Sequence, residues 1–516
     1  MARAKRTKKL RSIAEPFVVA PPTGTSTRTR LHPTPAEDKV LRQIGVYLGG
    51  LYRKDVVART KIGVVPALLT GRTKRKRDLS ALTSSRWAGS ITRAAEDQYT
   101  LGMRGLIAEC ESLSTAIRKL EQRLAVPVGT KNDAGIPGYR NRRERVAKTR
   151  RLTVLHGRLR SAEASKTRGA PTIVLGGGKL WRNRQNLAQA GLSIEQWRAR
   201  WDAARMFLTA DGELNAPFGN QTIRVEADGI LQVKVPTALV SELGPTLRLA
   251  APVAFALRGE ERADRAGAQQ SIRYDITFDP ANDRWYLHAS WSYKNIVTPP
   301  LSALQSSPVI GVDLNADHLA AGIVDASGNP VGTPIVIPLN VDALSAGVRD
   351  GHLRQAISTL IRYAKDSGAG AIAIENLNFQ GARSAGRETM GRGRKGKRFR
   401  RLVAGIPTGK FRERLTAMAA NHDIHIIAVD PAYTSQWGEQ HWKKPLQQRT
   451  SDTTVTRHQA AAIAIGRRAH GHRIKRRKDG DRTRQRTRPT PPRSDATMKP
   501  VNARPRKVRP AANLQS

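Results

Sequence analysis

Two acidic residues stand where apolar runs end, and their positions are the first indication of chemistry. Asp313 ends the run Val309–Asp313, and Glu375 ends the run Ala371–Glu375. A carboxylate that emerges from a buried strand is costly unless it is paired, protonated or bound to a cation. On neighbouring strands the two carboxylates would converge and could hold Mg²⁺, which prefers oxygen ligands and promotes phosphodiester hydrolysis when bound as a pair of ions. The alternative is two unrelated carboxylates that cap loops.

The charge of the chain predicts its partner. The 516 residues include 89 Lys and Arg against 42 Asp and Glu, which gives a net charge of +47. A folded chain with this charge repels itself unless a polyanion neutralises it, so RNA or DNA is the expected partner. A basic ribosomal or nucleoid protein without catalytic chemistry would share this composition.

Cysteine content and hydropathy predict the compartment. Cys110 is the single cysteine, which excludes an internal disulfide and a cysteine-based zinc site. We therefore expect no zinc and a protein of the reducing cytoplasm, associated with the nucleoid. No run of about 18 apolar residues occurs, so no membrane span is expected.

Hydrophobic periodicity predicts a helical region followed by a β-rich one. Apolar residues from Leu106 to Leu124 follow a heptad pattern, which predicts a helix that ends at Pro127. A second helix after the loop 128–140 would complete an antiparallel hairpin, whose basic residues face either nucleic acid or only solvent. From residue 171 the period changes to two, which predicts strands that a helix near 191–206 interrupts.

Residues 301–470 alternate strands with helices, which predicts an α/β domain. The two ends of the chain, 1–36 and 471–516, are basic and rich in Pro, and both are predicted to be mobile, the tail as an electrostatic arm. The strands expected in the α/β domain are Val309–Asp313, Leu319–Val324, Pro334–Pro338, Ala371–Glu375 and Ile424–Val429, and the helices are Val348–Lys365, Lys410–Asn421 and one from about Arg457.

Two basic motifs are candidates for contact with nucleic acid. A Gly/Arg loop after Glu375 can follow a phosphate backbone, because glycine is flexible and arginine offers forked donors. The Gly-rich segment near residue 178 lacks features of an ATP-binding P-loop and suits base stacking and phosphate contact better. A solvated loop and a core tryptophan are the respective alternatives. The candidate residues are Arg392, Arg394, Lys395, Lys397 and Arg398 in the loop, and Lys179, Trp181, Arg182 and Arg184 in the Gly-rich segment.

A series of motifs, in order, resembles the RuvC-like transposon TnpB proteins and the related type V CRISPR effectors. Gly311–Asn315 with Leu319–Asp325 resembles the first RuvC motif of this family, and Ile374–Phe379 resembles the second. The other matches are Arg457–Ile465 with the third motif, Val429–Gln436 with the segment before the zinc ribbon, and Gly177–Trp181 and Trp285–His288 with pieces of the wedge domain that grips guide RNA.

The resemblance implies a multidomain α/β protein, with an RNase H-like (RuvC) domain, a β-barrel wedge domain and an inserted helical recognition lobe. It implies guide RNA and double-stranded target DNA as partners of a monomeric ribonucleoprotein, and Mg²⁺ held by Asp313, Glu375 and His458. The implied segments are 37–75 and 171–300 for the wedge domain, 76–170 for the lobe and 301–470 for the RuvC-like domain without a zinc ribbon.

Two features depart from the family pattern. The third motif usually presents Asp where this chain has His458, and a neutral imidazole is a poorer Mg²⁺ ligand, although RuvC-like resolvases tolerate it. Asp452 is an alternative carboxylate in the preceding loop. The segment between Ser435 and His458 contains no cysteine, so the zinc ribbon is missing, and its aromatic residues are expected to pack the shortened loop.

The sequence is compatible with three functions. The altered third motif and the enlarged helical lobe resemble the miniature type V subtype that binds and silences targets without cutting. The favoured hypothesis is therefore an RNA-guided DNA-binding CRISPR effector that forms an R-loop with weak or no cleavage. The alternatives are an active Mg²⁺-dependent nuclease of the TnpB type and a basic nucleic-acid-binding protein without a guide.

Overall fold

The computed structural model describes residues 12–66, 70–293, 296–315, 317–339, 344, 346–376, 408–450 and 454–472. The predicted Gly/Arg loop, which carries Arg392, Arg394, Lys395, Lys397 and Arg398, lies outside the described residues, as do Asp452 and nearly all of the predicted tail. None of the described helices combines the length and apolar character that crossing a bilayer requires.

The strands of the described residues form three sheets. In chain order they are β1 (Phe17–Val19), β2 (Gly24–Leu31), β3 (Thr209–Ala210), β4 (Ile223–Val225), β5 (Leu231–Lys234), β6 (Thr246–Arg248), β7 (Arg273–Asp279), β8 (Arg284–Ser292), β9 (Val309–Leu314), β10 (His318–Val324), β11 (Pro330–Pro338), β12 (Ala371–Glu375) and β13 (His425–Val429).

Helices connect and cover these sheets. In chain order the described α-helices are α1 (Pro35–Ile62), α2 (Arg72–Leu82), α3 (Ser85–Leu124), α4 (Arg142–Arg168), α5 (Gly178–Asn183), α6 (Leu187–Ala190), α7 (Ile194–Ala203), α8 (Val240–Leu243), α9 (Gly259–Gly267), α10 (Leu301–Gln305), α11 (Ala346–Asp366), α12 (Thr408–Ala419), α13 (Thr434–His441), α14 (Lys443–Gln448) and α15 (Arg457–Ala469).

The largest sheet has six strands in the order β11-β10-β9-β12-β13-β1. Strands β9, β10 and β11 pair antiparallel, whereas β12 runs parallel to β9 and β13 runs parallel to β12. An antiparallel meander extended by parallel strands on the other side of its first strand is the arrangement of the RNase H fold. The predicted RNase H-like fold is confirmed by this strand order, with β11 beginning four residues earlier than expected, at Pro330.

The prediction that residues 1–36 are mobile is wrong for the part that the structure describes. Strand β1 adds an antiparallel edge to β13, with Val18 opposite Ile427. Strand β2 pairs along its whole length with β8. Thr27 and Thr29 are β-branched, which favours strands, and their hydroxyls donate to the distant carbonyls of residues 257 and 254, at 2.6 and 2.5 Å. A strand made largely of Thr and Arg, such as β2, lacks the apolar residues by which strands are recognised in a sequence.

The β-rich region is not a closed barrel within the described residues. It consists of a four-stranded sheet, β2-β8-β7-β3, and a separate three-stranded sheet, β4-β5-β6. One hydrophobic core joins both sheets to α1 and α3, and the Trp87 indole of α3 donates to the Lys234 carbonyl of β5 at 2.9 Å. Helices therefore fill the space that further strands would occupy in a barrel. Residues 35–62, most of the first predicted wedge segment, form the single helix α1.

The predicted helical hairpin is present. Helices α3 and α4 pack through a small core in which Cys110, Leu113 and Ile117 meet Leu155 and Ala162. This core is confined to one stripe of each helix, so most basic side chains of α4 remain exposed to solvent. A hairpin of this length, stabilised by so narrow a stripe, presents a long basic surface.

The two faces of the six-stranded sheet are covered differently. Helices α11 and α12 pack on one face, and α15 packs on the other. Helix α15 approaches the sheet closely at Gly311 in β9, where an added Cβ would lie 2.0 Å from the carbonyl oxygen of Ala462. This contact brings the first turn of α15 to the ends of β9 and β12.

Candidate active site and nucleic-acid interface

The ends of β9 and β12 bring the two predicted carboxylates together. Val312 is opposite Ile374 in the parallel ladder, so the next residues, Asp313 and Glu375, are neighbours on adjacent strands. Side chains alternate along a strand, and both residues therefore lie on the face that α15 covers. Asp313 is 5% exposed. The convergence that the carboxylate hypothesis requires is thus present in the sheet.

Glu375 has an unusual electrostatic environment. Its removal from water, and next the charge of Asp313, raise its pKa to about 7. The hydroxyl of Thr434 donates to Glu375 Oε1, and the Arg468 charge also opposes the rise. A carboxyl that holds its proton near neutral pH marks a site where negative charge is concentrated, and a bound cation would relieve that charge.

His458 reaches Asp313 from the first turn of α15. Thr456 and Gln459 form a capping box that begins the helix. This start places the His458 imidazole over the end of β9, with Nδ1 2.7 Å from Asp313 Oδ2. The His458 ring also packs edge-on against the ring of His318, with centroids 5.2 Å apart. Asp313 therefore has Glu375 as a charged neighbour and His458 as a hydrogen-bond partner.

Sequence reasoning does not single out four polar neighbours of this site. Asn315 donates to Asp313 Oδ2 at 3.2 Å and contacts His318 Nε2 at 3.3 Å. The charge of Asp430 also raises the pKa of Glu375. The other two neighbours are His318 and Thr434, whose hydroxyl donates to Glu375. Their positions after predicted strands could have indicated a role. Asn315 follows β9 and Asp430 follows β13, and the ends of these parallel strands share one edge of the sheet.

The donor set fits a divalent cation only in part. Two adjacent carboxylates suit Mg²⁺, and burial together with the charge of Asp313 raises the pKa of Glu375. The third predicted ligand, His458, instead has its Nδ1 engaged with Asp313. No group of three or more His, Cys, Asp or Glu side chains is arranged around a common metal position in the part of the chain that the structure describes.

Helices α13 and α14 occupy the segment between β13 and α15. Trp437 of α13 is buried, its ring lies 5.4 Å from that of Tyr433, and the Arg468 guanidinium stacks on it at 5.4 Å. Arg468 Nη1 also donates to the carbonyls of Asp430 and Ala432. The aromatic residues of this short segment thus pack against α15 and hold the end of β13 in place.

The second predicted site lies on and beside α5. Lys179, Trp181 and Arg182 belong to this helix, and Arg184 follows it directly. Trp181 is 45% exposed, and the Arg184 guanidinium lies 5.8 Å from its ring. An exposed indole beside cations is the combination that binds unpaired bases.

This basic and aromatic group is larger than the sequence suggested. Trp201 packs between Trp181 and Trp197, at 5.5 Å from each ring, and Arg205 stacks on Trp201 at 5.0 Å. Trp197 and Trp201 lie four residues apart on α7, a spacing that puts both on one side of the helix and that the sequence shows, whereas Arg205 follows in the turn after α7. Trp181 therefore rests on a stack of aromatic rings.

No family model and no curated protein matches the chain. Among solved structures, Thermus thermophilus RuvC in complex with a Holliday junction substrate is similar over 31% of this chain and 91% of its own, at 17% identity and a TM-score of 0.23. The Cas12f1–sgRNA–target DNA complex is similar over 86% of this chain and 98% of its own, at 10% identity and a TM-score of 0.22. Strand order and direction, rather than these loose superpositions, define the RNase H-like fold.

Proposed function

We propose that this protein is an RNA-guided DNA-binding protein of the type V CRISPR effector kind, which forms an R-loop and silences its target with weak or no cleavage. Its net charge of +47 suits a monomer that holds a guide RNA and double-stranded DNA in the prokaryotic cytoplasm. R-loop formation exchanges duplexes of nearly equal stability, so protein contacts with the phosphate backbone decide its direction. Silencing would follow from occlusion of transcription or replication.

The hydrogen bond between His458 and Asp313 carries the proposal of weak cleavage. A third carboxylate at position 458 would supply another oxygen ligand and another negative charge, whereas an imidazole supplies neither. Oδ2 of Asp313 is already shared between His458 at 2.7 Å and Asn315 at 3.2 Å. Mg²⁺, when bound, would polarise the phosphate and lower the pKa of water; here Asp313 and Glu375 would hold it with less charge than three carboxylates provide.

Two measurements on the purified protein test this proposal. We expect co-purified RNA of uniform sequence, and tight binding to duplex DNA that matches the guide but not to a scrambled duplex. Binding that ignores the guide sequence would contradict the proposal and favour a basic protein without a guide. The control is the same protein after its RNA has been removed, which we expect to lose the preference for the matching duplex.

A second candidate function is supported by Glu375. Its pKa of about 7 beside Asp313 is what a cation site in a Mg²⁺-dependent nuclease of the TnpB type would show before metal binds. The deciding experiment incubates the ribonucleoprotein with a target plasmid and Mg²⁺. Intact plasmid agrees with silencing by binding alone. Efficient nicking or linearisation that Asp313→Ala abolishes would establish the nuclease instead.

A further inference from the structure

A cavity of about 250 Å³ lies beside the tryptophan stack and is not part of the carboxylate site. Helix α1 contributes Tyr52 to its wall, α3 contributes Gln98, and the remaining walls come from the glycine loop before α5 and the turn after α7. The wall is apolar in part and polar in part. It is formed by Tyr52, Gln98, Val174, Leu175, Gly176, Gly177, Ala204, Arg205 and Met206.

Two glycines make this cavity possible. An added Cβ on Gly49 of α1 would lie 2.2 Å from the carbonyl oxygen of Arg205, so only glycine lets the turn after α7 lie against α1. Gly176 has a φ of 98° and would place a Cβ 3.0 Å from the ring of Trp201. The backbone thus folds tightly around the cavity, and the Phe207 amide, which donates to the Gly45 carbonyl at 2.9 Å, secures the turn.

The Arg205 guanidinium lines the cavity, and the charges of Arg53 and Asp202 act on it. Arg205 Nε is shielded from water and has no hydrogen-bond partner among the described residues. Burial, and next the charge of Arg53, lower the pKa of Arg205. Arg53 lies on α1 one turn beyond Gly49. The Arg205 guanidinium in the cavity wall, with the charge of Arg53 acting on it, suits an anion, and a phosphate matches the forked arginine donors.

Tyr52 and Gln98 can recognise a sugar. Burial, and next the charges of Asp97 and Asp55, raise the pKa of Tyr52 to about 12, so its hydroxyl remains a hydrogen-bond donor. The amide of Gln98 both donates and accepts. A ribose 2′-hydroxyl is likewise a donor and an acceptor, and it is the group by which proteins distinguish RNA from DNA.

We propose that this cavity binds one unpaired nucleotide of an RNA strand. Its base enters the apolar part of the wall, its phosphate lies between Arg53 and Arg205, and its 2′-hydroxyl faces Tyr52 and Gln98. The neighbouring base of the strand stacks on exposed Trp181. The identity of the strand as guide RNA rests on the proposed function, whereas the chemistry of the cavity does not.

The test uses the full chain, freed of co-purified nucleic acid, and single strands of about 15 nucleotides, near the largest site sizes of single-strand binding folds. One strand is RNA and one is DNA of the same sequence, and each carries a central 2-aminopurine, whose fluorescence falls when it stacks on aromatic rings. We expect the RNA signal to fall on binding and the DNA signal to fall much less. Equal quenching of both strands, or none, would overturn the proposal.

Four variants separate the cavity from the general basic surface. Ala204→Phe fills the cavity, so we expect it to abolish the quenching and weaken RNA binding about tenfold. Arg205→Ala should lower the slope of log affinity against log salt by about 0.7, which is the loss of one phosphate contact on a single strand. Tyr52→Phe should reduce the preference for RNA. Arg198→Ala removes an exposed charge from α7 and should keep the quenching.

The results of the probe assay do not depend on whether the protein targets DNA through a guide. Thermal unfolding shows that each variant is folded, and a folded Ala204→Phe protein that still quenches the RNA probe would refute binding in the cavity. The assay uses neither guide nor target. If guided binding fails while the probe result holds, only the identity of the strand as guide RNA is lost. If the probe result fails while guided binding holds, the cavity proposal alone is wrong.

Discussion

The imidazole Nδ1 of His458 lies 2.7 Å from Oδ2 of Asp313, although 145 positions separate the two residues in the chain. The contact exists because α15 crosses the sheet at Gly311, two residues before Asp313 on the same face. One hydrogen bond therefore joins the beginning of the last described helix to the end of a central strand.

If the proposed function holds, replacing His458 with Asp should add a negative charge beside Asp313 and Glu375. We expect His458→Asp to bind Mg²⁺ roughly 10- to 100-fold more tightly than the native protein, in the range that changes around metal sites produce, and to increase nicking of a target plasmid. Calorimetric titration with Mg²⁺ and gel analysis of the plasmid measure the two effects. His458→Asn is the matched control, since it removes the imidazole without adding charge and should not gain affinity. Unchanged Mg²⁺ binding in His458→Asp would contradict this account of position 458.

The raised pKa of Glu375 predicts how stability depends on pH. Folding raises this pKa from 4.5 to about 7, so the folded protein holds the proton more tightly than the unfolded chain does. The stability contributed by the proton is complete below pH 4.5 and is lost as the pH rises through 7, a change on the order of 1–3 kcal/mol. Thermal unfolding between pH 5 and 8 measures it.

Glu375→Gln should flatten this pH dependence, because its amide can accept the Thr434 hydrogen bond but does not titrate. The variant should be more stable than the native protein at pH 8, and Mg²⁺ should stabilise it less. The melting temperatures of the native protein and of Glu375→Gln are compared between pH 5 and 8. If the native protein does not lose stability relative to the variant over this range, the Glu375 carboxyl is ionised throughout.

Gly311→Ala should displace α15. An added Cβ would lie 2.0 Å from the Ala462 carbonyl oxygen, so the helix must move away from the sheet, at a cost of about 1–3 kcal/mol. We expect a lower melting temperature and weaker coupling between His458 and Asp313. Gly351→Ala is the control, because its Cβ meets no atom within 4 Å and alanine favours the helix. Its melting temperature should stay the same or rise, and equal destabilisation of both variants would contradict the close approach at Gly311.

Arg75 neutralises two acidic groups between the first three helices, of which Asp55 is buried. Its guanidinium binds Asp55, which is 4% exposed, and Glu96 at 2.5 Å. Arg75→Met would leave Asp55 buried without this partner, and we expect a loss of about 3–5 kcal/mol, measured as a lower urea midpoint. Arg93→Met breaks an exposed ion pair with Asp211 and should cost less than about 1 kcal/mol. Similar midpoints for the two variants would argue against a buried charge network.

Strands β9 and β12 are readable from the sequence because both of their faces are buried, which produces continuous apolar runs. The acidic residues that end those runs are conspicuous for the same reason. Strands β1 and β2 are not readable in this way, because an edge strand or a Thr-rich strand obtains its stability from partners at a distance, here Ile427 in β13 and the carbonyl of residue 257. Local composition does not record those partners.

The sequence by itself determined that this protein is a strongly basic chain with an α/β domain, a helical hairpin and carboxylates at the ends of two apolar strands, because charge and hydrophobic period are local properties. Only the tertiary structure decided that β9 and β12 are neighbours and that His458 forms a hydrogen bond with Asp313. It also decided that Arg205, Tyr52 and Gln98 line one cavity. Each of these contacts joins residues far apart in the chain. They depend on how closely two backbones can approach, which is settled when the elements pack.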